Sequence, residues 1–147
     1  MEITLLENDV TKIEAEVLVV NLFEGVRSPG GATGAVDKLI GGLITALISD
    51  GEISGSESEV TLIHTPSSVY PDLKASRVLV AGLGSSDRID TNVIRRVSAT
   101  VIRKLREVQV KKFATIVHGA GIGGVDVTPS AQSLVEGSIL GAYRFLK

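Results

Sequence analysis

The sequence predicts an α/β domain spanning residues 1–147, with helices layered on a largely parallel sheet. Two patterns carry that prediction. Short, continuously apolar runs alternate with longer stretches whose apolar residues recur at helical spacing. Strands and helices in alternation build layered sheets, because the crossover helices must cover the sheet faces. The length of 147 residues fits one such core. A chain of this size buries roughly two-thirds of its unfolded surface and needs no covalent staple.

Residues 3–6 read as the first strand. Residues 17–20, Val-Leu-Val-Val, form a continuous apolar run, as a strand covered on both faces does. Residues 60–63, 78–81 and 114–117 read the same way. The first amphipathic segment places Val36, Leu39, Ile40, Leu43, Ile44 and Leu47 on one helical face. Gly41 and Gly42 interrupt it at about 1 kcal/mol each relative to alanine, which points to close packing there. The second segment carries Ile94, Val97, Val101, Leu105 and Val108 and starts near Asp90 and Thr91, both good N-caps. The third starts at Thr128 as N-cap, with Pro129 at the first helical position. It runs through Leu134, Val135, Ile139, Ala142 and Leu146. Residues 50–58 are rich in Asp, Glu, Gly and Ser and read as a polar turn at a hairpin tip.

Composition narrows the chemistry. Aromatic residues make up 3% of the chain, so the core is aliphatic. The chain has no cysteine, which excludes disulfides, thiolate metal sites and cysteine nucleophiles and suits a cytoplasmic protein. No signal-peptide pattern opens the sequence, and no apolar run approaches the ~20 residues of a membrane span. His64 and His118 lie at predicted strand ends, with no Asp or Glu at metal-ligand spacing. No metal or other cofactor is expected, and no serine sits in a nucleophile elbow. Charge is uneven: residues 1–60 hold 11 acids and 3 bases, residues 61–147 hold 6 acids and 12 bases. Much of the positive charge falls on Arg95, Arg96, Arg103, Lys104, Arg106, Lys111 and Lys112, against Glu107 alone. Such a segment is most often a solvated face; the functional alternative is contact with DNA or an acidic partner.

Three glycine-bearing turns follow predicted strands. Pro29-Gly30-Gly31-Ala32-Thr33-Gly34 precedes the first long helix, where glycine lets backbone N–H groups reach an anion. Gly82-Leu83-Gly84 resembles the start of a dinucleotide fingerprint, but the next helix begins several residues later, so a strand-to-loop turn is the better reading. Gly119-Ala120-Gly121-Ile122-Gly123-Gly124 joins a strand to the last helix. In open α/β sheets, ligands gather at the carboxyl ends of strands.

These residues carry a family resemblance over essentially the whole chain. Residues 17–25 with Phe23-Glu24-Gly25, the strand 78–84 ending Gly-Leu-Gly, and above all residues 134–145 resemble the N-terminal domain of leucyl aminopeptidases. That resemblance implies a regulatory, assembly or binding domain, with a catalytic domain or a second copy as partner. The family's two-metal site, around Asn-Thr-Asp-Ala-Glu-Gly-Arg, belongs to its other domain, and that motif does not occur here. No catalytic residue is assigned. The sequence is also similar to macro domains, which bind ADP-ribose. This implies a three-layer α/β/α mixed sheet. It further implies that Asp9 and Val10 take the adenine, with Gly30, Gly31, Thr33 and Gly34 forming one phosphate and ribose loop. Gly119, Gly121, Ile122, Gly123 and Gly124 would form the other. The macro asparagine pair is not preserved: Asn21 is present, but its partner falls near Phe23 or Glu24. That departure favours binding of ADP-ribose or a related nucleotide diphosphate over ADP-ribosyl hydrolysis.

Overall fold

The computed structural model describes residues 10–116 and 127–146. Among these residues four strands form one mixed sheet: β1 (Val17–Phe23), β2 (Val60–His64), β3 (Arg77–Gly84) and β4 (Phe113–Thr115). Their order is β2-β3-β1-β4. β1 runs parallel to both β3 and β4, whereas β2 runs antiparallel to β3. The predicted strand at residues 3–6 lies outside the described residues.

The apolar runs at 17–20 and 78–81 become the two inner strands. Successive side chains point to opposite faces of a sheet, and the core divides accordingly. Val17, Val19, Leu79, Ala81 and Leu83 join one apolar cluster with Val93, Ile94, Val97, Val101 and Leu105 of α3 (Thr91–Glu107). Leu18, Val20, Leu22, Val78 and Val80 join another with Val36 of α1 (Gly31–Leu39), Ile40 at its C-cap and Ile44 of α2 (Leu43–Ser49). α4 (Val127–Leu146) packs on α3. A Cβ at Gly137 would overlap the Arg95 carbonyl oxygen, so glycine there sets how closely α4 approaches α3. The layers are thus helix, sheet, helix.

Five expectations need correction. The segment 36–47 is two helices, and the chain bends by 105° between them. Gly41 and Gly42 adopt φ of 70° and 80°, with nothing within 4 Å of the place a Cβ would take. They are needed for left-handed backbone and not for close packing. Residues 60–63 are not buried throughout: β2 is antiparallel and outermost among the described strands, and Ile63 alone among them is buried. Residues 50–58 are not a hairpin tip, since they join α2 to β2. Finally, α4 starts at Val127, so Thr128 and Pro129 lie within its first turn. The Asp90 cap is as expected: its carboxylate accepts the Val93 N–H at 2.8 Å.

Candidate functional site

The carboxyl end of β1 leads through residues 24–30 into α1. This is where the sequence places its first anion loop. Gly30 occupies the N-cap position and brings no side chain to cap the helix. Among the described residues no side chain caps this first turn, and a helix start carries partial positive charge. Thr33 fixes this end to the sheet. Its hydroxyl donates to the Asn21 carbonyl oxygen at 2.7 Å, and the residue is 4% exposed. Thr33 is therefore an anchor between α1 and β1.

The three glycines of the loop have different reasons to be glycine. Gly34 is packed: a Cβ would stand 2.5 Å from the Pro29 carbonyl oxygen. Gly31 has φ of 56°, which side-chain-bearing residues rarely adopt. Gly30 is exposed and extended, with nothing within 4 Å of a Cβ position. The open surface of the loop is thus Gly30 and Gly31. The short 3-10 turn Val10–Lys12 packs against α1. Asp9 and the second loop, with Gly119, Gly121, Ile122, Gly123 and Gly124, lie outside the described residues, as does His118.

A carboxylate that sequence reading missed holds the other end of α1. Asp37, 7% exposed, accepts the Ile44 N–H at 2.7 Å and the Thr45 hydroxyl at 2.6 Å. It caps α2 from within α1. The signal available was an acid placed shortly before a Gly-Gly break, with a second apolar repeat beyond it.

The Gly82-Leu83-Gly84 stretch is the closed end of a strand and not the expected strand-to-loop turn. β3 continues through Gly84, and a Cβ at Gly82 would overlap the Ser56 carbonyl oxygen. The Gly82 N–H donates to Glu59 at 2.7 Å and the Gly84 N–H to Gly55 at 2.8 Å. The turn at 54–59 is held by the Glu59 carboxylate, which accepts from the Ser54 and Gly55 N–H groups at 3.0 Å.

The basic segment is partly neutralised. Arg95 pairs with Glu136 of α4 at 2.6 Å, and Arg96 makes two bonds to Glu57 at 2.9 and 3.0 Å. Lys104 lies 3.8 Å from Glu107. The Arg96 guanidinium holds the Glu57 carboxyl below the ordinary glutamate range, and Glu57 in turn raises Arg96. The Glu16 carboxyl is also held low, because the N–H groups of Lys112 and Lys111 donate to it. Among the described residues, no group of three or more His, Asp or Glu side chains is placed to hold a metal. No single helix among them is long and apolar enough to cross a membrane.

The model for the cytosol aminopeptidase family, N-terminal domain, matches residues 19–147. A probable cytosol aminopeptidase of Solibacter usitatus is 33% identical over 143 residues, covering 97% of this chain and 26% of that protein. The chain spans about a quarter of the curated relatives it matches. Among solved structures, the macrodomain of Mycobacterium tuberculosis DarG superposes with a TM-score of 0.73 at 20% identity, covering 93% of this chain and 90% of that one. The Trypanosoma brucei macrodomain in complex with ADP-ribose superposes at 0.70 with 17% identity, covering 92% of this chain and 55% of that one. At such identities the likeness is one of fold.

Proposed function

We propose, from the premise that this chain belongs to the N-terminal domain of the cytosol aminopeptidase family and has a macrodomain-like fold, that it is a non-catalytic nucleotide-diphosphate-binding module. One observation carries the reading: the start of α1 at Gly30 and Gly31 is sterically open, uncapped and anchored to the end of β1 through Thr33. Backbone N–H groups at a helix start are suited to phosphate oxygens. The T. brucei macrodomain of the same fold was solved with ADP-ribose, which selects that molecule as the first ligand to try. In this reading Asp9 and Val10 receive the adenine. Gly30, Gly31 and Gly34 hold one side of the diphosphate, Thr33 positions them, and the loop with Gly119, Gly121, Ile122, Gly123 and Gly124 closes the other. Titration calorimetry with ADP-ribose tests it. Saturable heat is expected; a folded chain giving no heat at millimolar ligand ends the proposal.

A second reading is favoured by length. Since the curated relatives continue for about three-quarters of their length beyond the matched part, the domain also serves assembly or regulation with a catalytic partner or a second copy, in the cytosol that the relatives' name indicates. The chain alone then shows no peptidase activity. The DNA reading is weakened by the ion pairs that occupy Arg95 and Arg96.

A further inference from the structure

Between the loop that follows β1 and the turn that follows α2 lies an open cleft of about 400 Å³. Val26, Ile48 and Ile53 supply apolar lining, and Glu24 and Arg27 supply one charge of each sign. The apolar residues are buried or half-buried, whereas Glu24 and Arg27 are exposed. Among the described residues, neither charged side chain makes a hydrogen bond or ion pair. They stand only three positions apart and border the same cleft, yet they do not pair with each other. Arg95 and Arg96, by contrast, both find carboxylates.

Two exposed, unpaired charges of opposite sign beside an apolar surface are complementary to a molecule with the reverse arrangement. Such a molecule carries an ammonium, a carboxylate and a short hydrocarbon body. Ser49, at the end of α2, lines the same cleft. A guanidinium receives a carboxylate through two parallel bonds, which fixes orientation. The volume lies at the small end of ligand sites and suits a molecule of amino-acid size.

We propose that this cleft binds a free α-amino acid with an aliphatic side chain, its ammonium on Glu24 and its carboxylate on Arg27. The site is distinct from the start of α1, although the 24–31 loop serves both. Exposed charges are weak in water, so binding is in the millimolar range.

The test is an NMR titration of the whole chain with L-leucine, beside N-acetyl-L-leucine, which lacks the cation, and L-leucinamide, which lacks the carboxylate. Saturable shifts confined to residues 24–27 and 48–54 are expected, with each blocked analogue at least about tenfold weaker. Arg27→Met is expected to abolish the preference for leucine over leucinamide, and Glu24→Gln the preference for leucine over N-acetyl-leucine. Equal binding of all three compounds to the unaltered chain, shifts centred elsewhere, or no saturable shift at tens of millimolar would overturn the proposal. The blocked analogues decide the matter even if a variant fails to fold.

Discussion

After β1 the chain reaches Gly30 and Gly31 with nothing near the place where a Cβ would stand, whereas at the end of β3 the space above Gly82 is filled by the backbone of Gly55 and Ser56. Both are glycine-bearing stretches at the carboxyl end of an inner strand. At the first, no side chain among the described residues caps the N–H groups of a helix start. At the second, the N–H groups of Gly82 and Gly84 are already bonded to Glu59 and Gly55. Glycine spacing therefore does not separate a ligand loop from a packed one. What separates them is where the backbone donors go.

The largest way to break this contrast is Gly82→Ala. The new Cβ meets backbone, which cannot swing aside, so a loss of about 3 kcal/mol or more is expected in urea unfolding. Next comes the open loop. Gly31→Ala is expected to cost about 1 kcal/mol, from its left-handed backbone alone. Gly30→Ala is expected to cost only about 0.5 kcal/mol while weakening ADP-ribose binding. A Gly30 variant that loses stability as severely as the Gly82 variant would show that the two ends are not different after all. The smallest effect belongs to acid. Glu57 and Glu16 have folded pKa values below the ordinary 4.5, so their stabilisation is complete above that pH and is lost as pH falls through the lowered values. Since Glu57 ties the 54–59 turn to α3 through Arg96, Glu57→Gln should flatten part of the acid limb of a melting-temperature profile.

The sequence read well where the determinants were local. Continuous apolar runs at 17–20 and 78–81 identified the inner strands, and Asp90 marked the start of α3 because a cap needs only the next turn. The outer position of β2 among the described strands was not legible, since Val60 to Ile63 resemble an inner strand and only the lack of a second neighbour among those strands differs. The unbroken helix over 36–47 failed for a subtler reason. Val36, Ile40 and Ile44 all enter one core cluster, so the apolar period survives a bend that the glycines create. At the site, the openness of Gly30 and Gly31 could not be told from the packing of Gly34, because the Pro29 carbonyl that decides it is placed by the fold of the loop. The sequence showed Glu24 and Arg27 but not the cleft, whose other wall comes from the end of α2.

The Asp37 cap has a consequence for how this layer comes into being. At seven residues, α2 is far shorter than the ~12–15 needed for an isolated helix to persist in water. Its start is encoded by an acid in the preceding helix, across a glycine hinge, so neither half has reason to order by itself. Residues 31–49 then act as one cooperative cassette, and their amides should exchange with solvent in a shared opening event. The stiffness of the Gly30–Gly31 head is in that sense borrowed from a carboxylate at the opposite end of its helix.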